Sequence, residues 1–256
     1  MNHSAMLMVQ AAALGLCLWM ESVVPLFLRE PGQRLQHGIR NVVIGLVNGI
    51  VLTAGFSVLL LAAIRWGTVH PVGFLHWVSL SPWAERVAGF VAFDLWMYLW
   101  HRANHGVGWL WRFHRVHHSD PAMDVTTALR FHLGEMVLST LLRLAVIPLL
   151  GITLGDLVLY ELILQPAIYF HHSNVALPEQ WDRVMRGVVV SPNMHRVHHS
   201  DIPLETNSNY ASIFSFWDRL GRTYRRRDIR TICYGLKEFR QPQWQTLGGL
   251  LRTPLA

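Results

Sequence analysis

Cysteine and charge are both scarce in this chain of 256 residues. Its only cysteines, Cys17 and Cys233, indicate no disulfide framework and exclude the cysteine set of a ferredoxin-type cluster. Charged residues make up 15% of the chain, whereas 52% of it is hydrophobic. Because ordinary soluble domains carry about 25% charged residues, this composition favours a protein embedded in a membrane.

Three short motifs are also missing. The sequence contains no Gly-rich dinucleotide fingerprint, no C-x-x-C-H haem-attachment motif and no H-E-x-x-H motif. The chain therefore shows no binding motif for a nicotinamide, flavin or c-type haem cofactor of its own. A soluble zinc hydrolase is also disfavoured, since such enzymes bind one zinc with three protein ligands and leave one position open.

Long apolar segments are what the sequence has instead. The segments Ala5–Leu28 and Val87–Trp100 carry one charged residue each, and Val42–Ile64 carries none. Val42–Ile64 is long enough to cross a hydrocarbon core of about 30 Å. Pro148 and Gly151 split the last region into a predicted hairpin. We expect an all-α membrane protein with about four membrane-inserted helical regions: Ala5–Leu28, Val42–Ile64, Val87–Trp100, and Val137–Leu150 with Ile152–Phe170.

The first segment lacks a basic start and an evident cleavage site, so we interpret it as a retained span and not a signal peptide. We divide the chain into an N-terminal transmembrane region (1–85), a catalytic domain (86–230) that includes the membrane hairpin near 137–170, and a C-terminal tail (231–256). Arginines crowd the loop after the first segment, residues 101–135 and the region from 171 onward. The positive-inside rule then places the N-terminus outside and every histidine cluster in the cytoplasm.

The formal net charge of +6 does not indicate nucleic-acid binding. In a membrane protein, basic cytoplasmic loops face anionic lipid headgroups, which accounts for such an excess of arginine.

Histidine is unusually abundant and clustered. The heptapeptide HRVHHSD occurs twice, at 114–120 and 195–201, and each copy places histidines at i, i+3 and i+4. On a helix this spacing puts three imidazoles on one face, within reach of a common centre. A further pair with i, i+4 spacing lies just upstream. We therefore predict a metal centre with eight ligands: His101, His105, His114, His117, His118, His195, His198 and His199.

Other histidines and some acids are weaker candidates. One of His171 and His172 is expected to be a ligand, and His132 is either a ligand or a hydrogen-bonding neighbour of one. Asp94 lies seven residues before His101, on the same helical face, and is expected to orient a ligand. Asp120 and Asp201 follow the two repeats and either support the metal site or simply form turns. His3, His37, His70 and His76 lie outside the clusters and are not expected to bind metal.

These motifs together resemble the fatty acid hydroxylase and sterol desaturase superfamily of histidine-rich membrane di-iron enzymes. The resemblance covers about 94–224 and includes the strings DLWMYLWHRANH, HHSNVALP, SPNMHRVHHS and NSNYASIFSFWDRLGRTY. It favours His172 as a ninth iron ligand and implies no catalytic residue beyond the ligands. Leu133 and Ala211 stand where relatives often have proline and glycine, but neither change removes a ligand.

The resemblance implies two iron ions, O2 as co-substrate, and hydroxylation or desaturation at a C–H bond of a membrane lipid, with zinc able to replace iron in purified samples. The arginine distribution and the helical spacing of the histidines together predict a cytoplasmic helical cap that carries them. Because the chain has no redox cofactor motif, a ferredoxin or a cytochrome b5-like protein with its reductase would supply electrons. Alternatives are a carotenoid hydroxylase and a non-catalytic membrane protein that binds or transports metal.

Overall fold

A computed structural model describes residues 3–256, with side chains from Ser4 onward. The described residues form eleven α-helices joined by short 3-10 turns and loops, with isolated β-bridges but no sheet. The prediction of an all-α protein is confirmed. The helices are α1 (His3–Val23), α2 (Pro31–Val69), α3 (Pro82–Gly106), α4 (Gly108–His118), α5 (Leu133–Leu150), α6 (Leu154–His172), α7 (Glu179–Met185), α8 (Pro192–His198), α9 (Pro203–Thr206), α10 (Phe216–Leu220) and α11 (Leu247–Arg252).

Three segments within the described residues are long and apolar enough to cross a membrane: Ser4–Val23, Pro31–Trp77 and Leu133–Leu150. The predicted number of four membrane-inserted regions is therefore not confirmed. Helix α3 carries Glu85 and Arg86 near its start and Asp94 further along, while α6 carries Asp156 and Glu161. These charges lower the hydropathy of both helices. Helix α2 has 39 residues, about 58 Å at 1.5 Å per residue, so it extends well beyond a hydrocarbon core.

The predicted hairpin is two helices, α5 and α6, joined at Gly151. This glycine ends α5 in the left-handed conformation, with φ of 82°, which non-glycine residues adopt only at a cost. The turn lies against the loop that follows α2: a Cβ added to Gly73 would stand 2.4 Å from the Gly151 nitrogen. Both glycines are therefore required where these loops meet.

The long helices pack side by side, α2 against α5, α1 against α6, and α3 against α5 and α6. Buried apolar residues of α2, α3, α5 and α6, among them Ile64, Phe93, Ile147 and Tyr160, form the core near the Gly73–Gly151 end. At the other end the chain between α1 and α2 meets the end of α6 through the Pro25–Val175 bridge. The histidines lie at this second end.

The histidine-bearing cap is only partly helical. Helix α4 holds the first HRVHH sequence, and the seven-residue α8 holds most of the second, but loops and single turns form much of the remainder. Ser191 caps α8 by accepting from the Met194 N–H at 3.2 Å, and Pro192 fixes its first turn. The C-terminal segment packs on α4, where Arg115 donates to the carbonyl of Thr253 at 2.5 Å.

Candidate metal centre

Nine histidines form two compact groups. One group holds five residues, and each offers a ring nitrogen within 4.8 Å of the others: His101, His105, His114, His118 and His198. The second group holds four residues under the same limit: His117, His172, His195 and His199. We call these the five-histidine group and the four-histidine group. Together they contain the nine residues singled out from the sequence, although their binding of metal stays a prediction.

Each HRVHH sequence contributes to both groups, which corrects the expectation that its three imidazoles share one centre. In the first copy the i and i+4 residues, His114 and His118, lie in the five-histidine group, whereas His117 lies in the other. The second copy is reversed, because His195 and His199 lie in the four-histidine group and His198 lies in the other. Each copy of the repeat therefore supplies histidines to both groups, the first copy from α4 and the second from α8 and the residue that follows it.

Oxygen acceptors orient four of the rings through their Nδ1 atoms. His101 pairs with the Tyr210 carbonyl at 2.7 Å, His198 with the Ser208 carbonyl at 2.6 Å and His172 with the Ile168 carbonyl at 2.8 Å. His105 pairs with the Asn207 side-chain oxygen at 3.2 Å. Since a carbonyl can only accept, Nδ1 carries the proton and Nε2 keeps a free lone pair for a metal.

Glu135 orients a fifth ring and was missed as a functional residue. Its Oε1 accepts from His114 Nδ1 at 2.8 Å, and both side chains are buried. Metal-bound histidines commonly donate to a carboxylate in this way. The available signal was the string Arg130-Phe131-His132-Leu133-Gly134-Glu135, in which the acid, and not the histidine, contacts the centre.

The ring nitrogens inside each group are better placed to bind a cation than to form hydrogen bonds with one another. Nε2 atoms of His172 and His195 lie 2.9 Å apart, and those of His101 and His114 lie 3.1 Å apart. Nε2 of His105 and of His198 are buried and have no hydrogen-bond partner among the described residues. Unpartnered buried nitrogens are costly, and a first-row metal would satisfy them. The residues present therefore fit a pair of metal ions.

Burial keeps five histidines of the two repeats neutral. Loss of solvent lowers the pKa of all five well below the ordinary 6.5, and neighbouring histidines lower each pKa further, since adjacent imidazoles cannot all be protonated. Neutral imidazole is the form that binds metal. The five are His117, His118, His195, His198 and His199.

The two reserve histidines have different positions. His171 is buried beside the four-histidine group, its ring 4.1 Å from that of His195, but it is not a member of either group. His132 lies apart from both groups. Its Nδ1 accepts from the Gly134 N–H at 3.0 Å and so caps the start of α5.

The three aspartates do not contact the nine histidines in the described part of the chain. Asp94 accepts from the Tyr160 hydroxyl at 2.8 Å and the Trp217 indole at 2.9 Å, so it ties α3 to α6 and α10 instead of orienting His101 as predicted. Asp201 faces Arg240 at 3.0 Å. Their hydrogen bonds hold the elements around the site.

Asp120 combines a turn with a contact that the sequence did not indicate. It accepts from the Ala122 N–H at 2.9 Å, which forms a turn, and from Nε2 of His37 at 2.9 Å. Nδ1 of His37 meets Asp124 at 3.0 Å. His37 was not expected to bind metal, and its two carboxylate partners fix the loop after the first repeat to α2.

A cavity of about 340 Å³ opens beside the histidines. This volume lies within the range of about 300–1,000 Å³ that is typical of small-molecule sites. The cavity runs between α2, α3, α5 and α6, and its lining includes Trp100, Phe131, Leu164, His114 and His172. An apolar molecule in this cavity would therefore contact both histidine groups.

The family model for fatty acid hydroxylases matches residues 86–223, more than half of the chain. The chain belongs to the fatty acid hydroxylase family. This agrees with the resemblance seen in the sequence. The matched range contains all nine histidines of the two groups, Glu135, and the helices α3, α5 and α6 that line the cavity.

Several characterised proteins are similar to this chain. Alkylglycerol monooxygenase of Danio rerio is 29% identical over 180 residues, which cover 67% of this chain and 36% of that protein. Ornithine lipid hydroxylase OlsE of Rhizobium tropici is 30% identical over 149 residues, 58% of this chain and 44% of that protein. A cholesterol 25-hydroxylase-like protein of Danio rerio is 30% identical over 167 residues, 59% and 64% of the respective chains.

The match therefore spans less than half the length of the first two of these proteins. No solved structure matches it.

Proposed function

We propose that this protein is a membrane-bound, iron- and O2-dependent hydroxylase that acts on a C–H bond of a lipid. The observation that carries the proposal is the placement of two histidine groups at the wall of one largely apolar cavity. The names of the relatives support hydroxylation over desaturation, since they specify alkylglycerol, ornithine lipid and cholesterol oxygenation.

The five-histidine group and the four-histidine group would each hold one iron ion. Two bound iron ions would supply the reduction of O2 and the oxidation of the C–H bond. All nine proposed ligands are imidazoles. The negative charge that the protein places next to the centre therefore comes mainly from Glu135, which accepts a hydrogen bond from His114. Zinc is the alternative occupant, because imidazole suits both metals.

The residues of this chain bind the substrate and exclude water. Trp100, Phe131 and Leu164 line the cavity next to the histidines and favour an alkyl chain or ring over water. The carbonyls that accept from the Nδ1 atoms hold the rings in fixed orientations, so the geometry exists before substrate enters. Catalysis in this proposal needs no residue beyond the ligands and their partners.

Hydroxylation also needs two electrons for each O2, and a separate ferredoxin or cytochrome b5-like partner is proposed as their source. The distribution of arginine supports a cytoplasmic cap and an outside N-terminus. A cytoplasmic cap would make the centre accessible to such a soluble donor.

Metal analysis of the purified protein tests the site. We expect about two iron atoms per chain in the wild type, one for each histidine group. His117→Ala removes a ligand of the four-histidine group and His198→Ala a ligand of the other, so each variant is expected to lose about one iron and retain the second. The retained iron shows that the variant is folded. His70→Ala, at an exposed histidine outside both groups, is the control.

Product analysis tests the reaction. Cells that express the wild type under heavy-isotope O2 are expected to contain a lipid with one labelled oxygen atom, and cells that express His198→Ala are not. Iron bound to both groups without any labelled lipid would contradict the hydroxylase and leave desaturation, metal storage or transport as the alternatives. If neither variant loses iron, that result would contradict the two-group site.

A further inference from the structure

An ion pair lies on the cavity wall away from the histidines. Arg143 of α5 donates through Nη1 to Oε1 of Glu161 on α6 at 2.6 Å, and both residues line the cavity. Each side chain is 22% exposed, so the pair is accessible from the cavity. Neither residue contacts a histidine in the described part of the chain. The metal centre therefore does not explain this pair.

The depth of the pair makes it costly. Arg143 lies ten residues after the start of α5 and seven before its end, within a segment apolar enough to span a membrane. Charged residues at such depth are expensive and mark functional sites. Joining two helices can be achieved by apolar side chains at least as well as by an ion pair. A stabilising role alone thus gives little reason for these two residues.

Arg143 also has hydrogen-bonding capacity to spare. Among the described residues its Nη2 contacts only the Met97 sulfur, a weak acceptor at 3.3 Å, and its guanidinium lies 5.6 Å from the Phe93 ring centre. Its buried Nε has no hydrogen-bond partner in that part of the chain. The guanidinium can therefore donate to a further oxygen atom without leaving Glu161.

We infer that Arg143 and Glu161 bind the hydroxyl group of an amphiphilic alcohol whose carbon skeleton extends to the histidines. The inference rests on the proposed function and specifies its substrate class. A hydroxyl both accepts and donates, so it can bond to the guanidinium and the carboxylate together. A carboxylate or phosphate headgroup is disfavoured because Glu161 would repel it, and the pair already has no net charge.

The distance along α6 between Glu161 and the histidines determines which carbon atom of the substrate is oxidised. Glu161 precedes His172 by eleven residues, which is about 16 Å along the helix. A substrate held by its hydroxyl at Glu161 therefore presents to the histidines a carbon about 16 Å away. The new oxygen atom is expected near the end of the skeleton that is opposite the original hydroxyl.

Binding of matched probes tests the inference without turnover. Purified full-length protein in detergent, given no electron donor, is titrated with hexadecan-1-ol, hexadecane and hexadecanoate as competitors of tritiated hexadecan-1-ol. The wild type is expected to bind the alcohol about ten- to hundred-fold more tightly than the alkane, the gain from hydrogen bonds to charged groups. It is also expected to prefer the alcohol to the carboxylate.

The double variant Arg143→Met/Glu161→Leu removes the pair and leaves apolar side chains that keep α5 and α6 packed. Its alcohol-to-alkane preference is expected to disappear. The reversed pair Arg143→Glu/Glu161→Arg is expected to retain much of the preference, because a hydroxyl bonds to either arrangement. Leu141→Ala, at a residue of α5 that does not line the cavity, is the control.

An unchanged preference in the double variant would overturn the inference and leave the pair as a helix contact. That result is compatible with labelled lipid products, so the proposed function would survive it. Conversely, a preference lost in the double variant, together with no labelled lipid, would support the alcohol site and contradict the hydroxylase.

Discussion

At the residue scale, a hydrogen bond to Nδ1 determines which ring nitrogen faces the metal in five of the nine histidines. Four Nδ1 atoms meet carbonyl or amide oxygens and one meets Glu135. The Ile168 carbonyl lies one turn before His172 in α6, but Tyr210, Ser208 and Asn207 lie outside the helices of the histidines they orient. The histidine spacing predicts the ligands, but it carries no information on these partners.

Glu135→Gln tests the role of the one carboxylate at the centre. The amide can still accept from His114 Nδ1, but it has no charge to raise the basicity of the ring. Loss of such a partner typically lowers metal affinity about 10- to 100-fold. We expect a loss of this size at one of the two sites, measured by competition of iron with a chelator, while the other site is unchanged.

Glu85→Gln is the matched control, because Glu85 lies in the first turn of α3 and outside both histidine groups. Equal iron affinities in Glu135→Gln and the wild type would show that Glu135 only packs against His114.

At the scale of elements, α2 forms one wall of the cavity, and two of its lining residues, Gly45 and Gly49, are glycines. Gly49 lines the cavity, and a Cβ added there meets no atom within 4 Å. Gly49→Phe is therefore expected to fold and to obstruct the cavity. Crowding of an occupied site costs about 1–3 kcal/mol, so we expect hexadecan-1-ol to bind about ten-fold more weakly, with iron content unchanged.

Gly55→Phe makes the same change on the same helix at an exposed position that also has open space and does not line the cavity. Its binding is expected to equal that of the wild type. Equal losses in both variants would indicate a general effect on α2 and contradict a cavity wall at Gly49.

Hydropathy predicted the apolar parts of the helices but not their polar extensions. The predicted span Val42–Ile64 lies inside α2, which begins at Pro31. The extra turns carry His37 and Asn41, which are buried because Asp120 and Thr126 bond to them from a loop distant in sequence. A pattern of local hydropathy cannot show that a polar residue is buried by such partners.

At the scale of the whole molecule, the metal centre is assembled where separate parts of the chain meet. The five-histidine group draws on α3, α4 and α8, and the four-histidine group on α4, α6 and the end of α8. Family resemblance predicted the nine residues together. The division into groups of five and four required the three-dimensional packing of these helices, because sequence spacing alone favours three neighbouring histidines in one centre.

This assembly makes the metal-free protein sensitive to acid. Burial lowers the pKa of His117, His118, His195, His198 and His199 well below 6.5 in the folded state. Unfolded histidines titrate near 6.5, so below this pH the unfolded chain binds more protons than the folded one, and stability falls as pH falls. Each such histidine contributes a slope of up to about 1.4 kcal/mol per pH unit. Summed over several histidines, the stability lost on acidification is a large part of the free energy of unfolding, which is roughly 5–15 kcal/mol for most proteins.

We therefore expect the Tm of chelator-treated protein to fall steeply between about pH 6.5 and 5. His198→Asn removes one titrating group, so its Tm is expected to fall less steeply over the same range. His70→Asn, at an exposed histidine, leaves the slope unchanged. A Tm independent of pH down to pH 5 would show that the histidines are hydrated in the metal-free protein, and that metal binding, not folding, brings the two groups together.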